Sequence, residues 1–299
     1  MIDFDMAEPV VIPLSELDGD ILYDINGRKN YDSYSSDIKL DYSHIPYPKE
    51  KFSEQYDQVL SELNYGNTFL LNLAARHEFI IEANLKEIFL AAKAKYKLYY
   101  KNQFVVFSPE SFVQIKDGRI SSYPMKGTID ASIPNAEQIL LNDAKEKAEH
   151  NTIVDLIRND LSMVATEVKV NRFRYIDKIE SAKSTLLQVS SEITGILPDD
   201  YHSILGDILI KLLPAGSICG APKKKTVEII KQVEEHPRSY YTGVAGIYDG
   251  STLDTFVMIR YIENDDNKYY YRSGGGITAM SNKESEYQEM INKIYVPTA

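Results

Sequence analysis

The chain has a single cysteine, Cys219, in 299 residues, and no tryptophan. One thiol excludes an internal disulfide, so packing must hold the fold and an oxidising compartment is not implied. Cations are in deficit. Lys plus Arg is 33 against 44 for Asp plus Glu, a net charge of −11. That balance argues against general nucleic-acid binding, which needs clustered cations. It also repels anions at long range, so an anionic ligand must be held by a local Lys, Arg, helix N-terminus or metal ion. Long apolar runs are lacking as well. The best candidate, ILIKLLPAG, is interrupted by Lys211 and Pro214 and falls short of the roughly 18 residues that a membrane span needs. The first residues, MIDFDMAEPVVIPL, carry no basic stretch, so no secretory signal is expected. These absences together predict a cytoplasmic protein with neither nucleic acid nor membrane as partner.

What is present suits a large core: 43% of residues are hydrophobic and 26% charged, the balance of an ordinary globular chain. Residues 48–63 place Phe52, Tyr56, Val59, Leu60 and Leu63 on one 3.6-period face, with Gly66 just beyond, which predicts a helix. Residues 67–80 read as a strand, followed by a short helix with Asn84 as N-cap. KLYY, FVVF, SFVQI and RISSY read as successive strands, with a Lys116-Asp117-Gly118 turn between the last two. Helix is expected over 135–165, 201–213, 222–235 and 283–294, and strand over 168–195, 240–249, 253–263 and 268–273. Antiparallel-looking strands mixed with helices predict an α+β fold. No composition shift marks a boundary, so 1–299 is read as one large domain.

Eight of the 15 glycines lie between Gly216 and Gly276. Turns and bulges explain Gly250. The triplet Gly274-Gly275-Gly276, at a strand end before a helix, is a candidate for main-chain contact with an anion. Two glutamate pairs stand at i, i+3 spacing, Glu146 with Glu149 and Glu286 with Glu289, so each pair shares a helix face. Either pair alone reads as a solvated acidic face. Brought together, the four would make an oxygen-only site suited to Mg²⁺. Lys126, between Pro124 and Gly127 in a predicted sharp turn, is by default a surface cation, or a nucleophile if burial keeps it neutral. Glu110 precedes it across the predicted hairpin. The 214–223 loop leads into a helix with Pro222 near its first turn. Cys219 has no evident His partner and reads as a packed thiol, and His150 as a helix-surface or packing residue.

The strings PMKGT, AEHNTIVDLIRNDL, LLPAGSICGAPKKKTVEII, YYTGVAGIYDG, FVMIR and SGGGITAMSNKESEYQEMINK follow in that order. In this respect the chain resembles the chorismate-utilising enzymes, among them anthranilate synthase and aminodeoxychorismate synthase components I and the isochorismate and salicylate synthases. The resemblance runs from about Gly66 to Lys293. It implies an α+β fold of two packed, mainly antiparallel sheets flanked by helices. It implies Mg²⁺ at the glutamate pairs, with Glu149 and Glu289 as direct ligands and Glu146 and Glu286 supporting through water. It assigns the substrate's carboxylates to Tyr241, Arg260 and the Gly274, Gly275 and Gly276 backbone, with Lys293 as a nearby cation and Gly127 and Thr128 in a loop over the ring.

Within the family, Lys126 resembles the P-I-K-G-T of aminodeoxychorismate synthases rather than the P-I-A-G-T of anthranilate synthases. The resemblance therefore implies Lys126 as nucleophile, Glu110 as general acid, chorismate as substrate and a separate glutamine amidotransferase subunit as ammonia source. Gln188 departs from a histidine usual in the family, Leu70 from a glutamine and Met280 from an aspartate. Where isochorismate and salicylate synthases place a water-activating lysine, this chain has Leu70, which cannot act as a base. Anthranilate synthesis and a non-catalytic chorismate-fold binding subunit are the alternatives.

Overall fold

The computed structural model describes residues 1–32, 40–180 and 185–298. The expected α+β class holds: two antiparallel sheets, one of nine strands and one of seven, with helices. The chain divides into two compact units, 1–109 with 218–245 and 257–298, and 110–217 with 246–256.

In the first unit the central strand is Leu70–Ile81. It pairs with Lys268–Ile277 on one side and with Tyr42–Ile45 and Gly220–Ala221 on the other. The helix Lys49–Tyr65 buries Phe52, Tyr56, Val59 and Leu63, the face that its periodicity predicts, and ends at Gly66 with φ 87°. That side packs with Leu71, Leu73, Ile229, Ile230 and Met290. Each fully buried side chain of this size contributes roughly 1.5–3 kcal/mol. Tyr96–Tyr100 and Phe104–Ser108 are buried at every position, as strands covered on both faces must be. Asn84 caps the helix Leu85–Ala91 in a reciprocal box with Glu87.

A buried ion pair ties this unit internally. Arg238 donates to Glu234 at 2.6 Å and to the Asn72 carbonyl at 2.7 Å, and Glu234 accepts from the Ala74 amide at 2.9 Å. His77, fully buried, accepts from the Tyr47 amide at Nδ1, 3.0 Å. Its proton is therefore on Nε2, donated to Ser273 Oγ at 3.0 Å, and Ser273 donates to the Met290 carbonyl at 2.8 Å. This relay fastens the glycine-bearing strand to the last helix. Burial lowers the His77 imidazole from 6.5 to about 3. Its neutral form belongs to the folded state, so its contribution is complete above pH 6.5 and is lost as pH falls toward 3. The stability gap between wild type and His77→Gln, from denaturant unfolding, is expected to narrow from pH 7 to pH 4. A gap that stays constant would contradict this assignment.

In the second unit Ser111–Lys116 and Arg119–Ser122 form the expected hairpin, turning at Asp117 and Gly118 with φ 50° and 71°. The helix expected over 135–165 is two helices, Ala136–Asn142 and Ala144–Ser162. The break is at Asp143, whose extended ψ of 114° ends one helix while its side chain accepts from the Glu146 amide and caps the next. The strand expected over 168–195 is Thr166–Glu180 and Thr185–Ile196, and residues 181–184 of that expectation lie outside the described residues. Pro222 stands at the N-cap of Lys223–Val233, one place before the position predicted.

Two other strand expectations are shortened. The first begins at Val244, after a turn in which Thr242 has φ 63°, and the second breaks before Tyr261, where Arg260 has φ 54°. The stretch Tyr201–Cys219 has the length and hydropathy of a membrane span. Tyr201–Ile204 runs directly into Leu205–Leu212, and the break at 213–215 separates these from a four-residue helix Gly216–Cys219.

Candidate functional site

The second unit carries Lys126, Gly127, Thr128, Glu110, Glu146 and Glu149. Lys126 lies in the strand Met125–Asp130, paired with Thr185–Ile196. Val189 faces Lys126 and Gln188 faces Thr128, so Gly127 is an extra residue in the ladder, a bulge. Gly127 has φ 75°, and a Cβ there would lie 2.9 Å from Leu140 Cδ1 and 3.2 Å from Glu146 Oε2, so backbone and space both select glycine. Gly127 and Thr128 thus belong to a strand, where the sequence suggested a loop, and Lys126 to a bulge instead of a sharp turn. Lys126 Nζ donates to Glu149 Oε2 at 2.8 Å. Their side chains are 34% and 24% exposed.

Glu110, just before Ser111–Lys116, accepts from Ser217 Oγ at 2.8 Å. The two residues line a cavity with Asp160, Phe112, Pro124 and Gly216 whose volume, about 20 Å³, suits one water molecule. Neither Ser217 nor Asp160 was singled out from sequence. His150 is fully buried, so it is a packing residue. Its Nε2 lies 2.7 Å from Ser191 Oγ, and burial lowers it from 6.5 to about 4. Ser191 is also fully buried and accepts from the Arg174 amide. The Ser–His distance resembles that of a nucleophile with its base, but neither group is open to a substrate.

The first unit carries Glu286, Glu289, Lys293, Tyr241, Arg260 and the glycine triplet. Asn282 caps the helix Lys283–Asn292 by accepting from the Glu284 and Ser285 amides. Glu286 is buried and Glu289 is open to solvent. Gly275 stands against both carboxylates: a Cβ there would lie 3.4 Å from Glu286 Oε2 and 3.9 Å from Glu289 Oε1. Lys293 donates to the Gly274 carbonyl at 2.8 Å and pairs with Glu289 at 2.7 Å.

The triplet lies inside the strand Lys268–Ile277, paired with Asn72, Leu73 and Ala74. A Cβ at Gly274 would meet the Leu73 carbonyl at 2.6 Å, so this glycine answers to cross-strand crowding. Tyr241 is 3% exposed, and burial pushes its phenol up to about 12. Arg260 lies over the Tyr295 ring at 5.4 Å, and its buried Nε has no hydrogen-bond partner among the described residues. A buried guanidinium donor in that state suits an anion. Cys219 is the packed thiol expected, 1% exposed and donating to the Gly220 carbonyl.

Each unit therefore supplies two carboxylates at i, i+3; Gly275 stands against both of its pair, while Gly127 is crowded by Leu140 and approaches only Glu146. Among the described residues no group of three or more His, Cys, Asp or Glu side chains is gathered as a metal centre. Carboxylate oxygens are the donor type that a hard cation such as Mg²⁺ takes.

Comparison with known proteins gives the fold its family. The family described as chorismate binding enzyme matches residues 20–299, and the chain belongs to that family. It is 48% identical to an uncharacterised PabA-like protein of Haemophilus influenzae, over 99% of this chain and 91% of the relative. It is 33% identical to aminodeoxychorismate synthase component 1 of Salmonella typhimurium, over 82% of this chain. Here the match spans only 56% of the relative's length. Among solved structures, anthranilate synthase component I from Streptococcus pneumoniae superposes with a TM-score of 0.72 at 26% identity, covering 85% of this chain and 58% of that one.

Proposed function

We propose that the chain is an aminodeoxychorismate synthase component I. It would convert chorismate and ammonia to 4-amino-4-deoxychorismate, the precursor of p-aminobenzoate for folate. The observation that carries this reading is Lys126, set by the Gly127 bulge and bonded to Glu149, at the position where aminodeoxychorismate synthases resemble P-I-K-G-T. Lys126 would have to give up a proton and leave its contact with Glu149, and the neutral amine then attacks C2 of chorismate, shedding a second proton as the C–N bond forms. The ring double bonds shift, and the C4 hydroxyl leaves as water with a proton from Glu110. Ammonia then adds at C4 and the lysine nitrogen leaves C2, so the lysine is regenerated. The Ser217 hydrogen bond holds the Glu110 carboxyl in place.

Arg260 and Tyr241 are the proposed holders of substrate carboxylate. Glu146, Glu149, Glu286 and Glu289 are the residues for Mg²⁺, which when bound neutralises carboxylate charge on the substrate. The ammonia source is proposed to be a glutamine amidotransferase subunit, since a glutaminase needs an activated Cys–His pair and the one thiol, Cys219, is buried. Cytoplasmic location follows from the same reading. The second reading, anthranilate synthesis, is favoured by the likeness to the Streptococcus pneumoniae enzyme.

Purified protein given chorismate, Mg²⁺ and ammonium salt is expected to yield the 4-amino compound by mass and NMR analysis, and to yield none with glutamine in place of ammonium. A 2-amino product would favour anthranilate synthesis. Sustained glutamine-dependent turnover by this chain alone would overturn the partner assignment.

A further inference from the structure

We propose that Asp160 is the proton partner of Glu110: a water in the cavity that both line lets the two carboxyls share a single proton, which keeps Glu110 able to act as an acid at neutral pH. The inference deepens the reading above and rests on it for the acid step.

An acid that protonates a leaving hydroxyl must still carry its proton near neutral pH. An isolated glutamate, ionising at about pH 4.3, has lost it. The fold supplies a reason for Glu110 to keep it. Glu110 stands just before the strand Ser111–Lys116, and Asp160 lies in the last turn of the helix Ala144–Ser162. Both line the cavity of about 20 Å³, with Phe112, Ile157 and Leu161 among its apolar walls. Ser217 Oγ donates to Glu110 Oε1 at 2.8 Å. Gly216, the residue before, stands against Asp160: a Cβ there would lie 3.0 Å from Asp160 Oδ2. The Gly216–Ser217 step thus reaches both carboxyls, one through a hydroxyl and the other through a bare backbone. All four residues belong to the same unit.

The hydrogen bonds then fix where the proton sits. The volume suits one water, and a buried water takes about three hydrogen bonds. Ser217 has committed its one hydrogen to Glu110, so toward the water it accepts. An ionised Asp160 also accepts. These two use both hydrogens of the water, and its third bond must come from a donor. A protonated Glu110 supplies that donor at Oε2, whereas an ionised Glu110 would leave three acceptors facing two hydrogens. Repulsion acts in the same direction, because two carboxylates facing one largely apolar cavity are relieved by retaining a proton. Among the described residues these are the only titratable side chains that line the cavity. Of the nearest cations, Arg158 on the same helix pairs with Asp155, and Lys126, two residues beyond Pro124 in the cavity wall, pairs with Glu149. In the reaction the shared proton passes to the C4 oxygen as its bond to carbon breaks, so the hydroxyl leaves as water. The pair recovers a proton from the lysine nitrogen as that nitrogen bonds to C2. Asp160 acts through Glu110 and is a positioning residue.

The test follows the Glu110 carboxyl itself, by infrared difference spectroscopy of the full chain carrying isotope-labelled glutamate, with Glu110→Gln to identify its band. In wild type the band of the protonated acid is expected to persist at neutral pH. In Asp160→Asn the pH at which the band is lost should fall by about one unit or more, tenfold in proton affinity, because an amide carries no charge to repel. Asp160→Ser carries the same expectation if the asparagine variant does not fold. Asp155→Asn, which removes the same charge from an exposed position on the same helix, should leave the band unmoved. In turnover of chorismate with ammonium salt, the high-pH limb of kcat should move down with the band in Asp160→Asn, while KM for chorismate holds. Absence of the protonated band from wild type at neutral pH, or a titration unmoved by either Asp160 variant, overturns the inference. A shifted titration in a protein that makes no amino product from chorismate overturns the catalytic reading and leaves the shared proton standing.

Discussion

Lys126→Ala is expected to change the identity of the product as well as the rate. With the lysine in place, the enzyme occupies C2 and directs ammonia to C4. Without it the strand reads P-M-A-G-T, similar to the anthranilate pattern, and ammonia can reach C2 directly. The alanine variant should form a 2-amino product slowly. Formation of the 4-amino product should fall by on the order of a hundredfold or more, about 2.7 kcal/mol of barrier, because one difficult displacement is no longer split into two. Intact-protein mass should show an adduct on wild type incubated with chorismate and none on the variant. The surrounding strand should survive the change. Lys126 is half-buried, and the bulge is set by Gly127 at φ 75°, which the substitution leaves alone. If the variant makes the 4-amino isomer at the wild-type rate, Lys126 is not the nucleophile.

The features legible in the sequence are those with a local cause. Gly66 ends its helix in the left-handed region, Asn84 caps, and Asp117-Gly118 turns, as their residue types dictate. The i, i+3 glutamates lie on helices at both places where spacing put them. What sequence hid is non-local. Lys126 and Glu149 are 23 residues apart with a helix boundary between them, and no pattern announces that they touch. The division into two units was hidden for the same reason. The chain passes between them at 109/110, 217/218, 245/246 and 256/257 without a flexible linker to mark the crossings. Asp143 misled the helix reading because its capping role is written in its ψ angle, and composition alone let 135–165 pass as one helix. Gly274 shows that one residue type serves two needs. The triplet suggested anion contact, and the structure shows at least this member excluded from carrying a side chain by the neighbouring strand.

Glu149→Gln and Glu289→Gln are each expected to lower turnover at ordinary Mg²⁺ by about a thousandfold, roughly 4 kcal/mol, and to weaken Mg²⁺ binding in a titration of the same proteins. An amide keeps the size of the side chain but loses the charge and much of the donor strength that a hard cation requires. Glu54→Gln, on the exposed side of Lys49–Tyr65, removes the same charge from the same residue type and should leave both quantities unchanged. Full turnover in both glutamine variants at ordinary Mg²⁺ would remove the two pairs from any metal role, and the metal would have to be sought elsewhere.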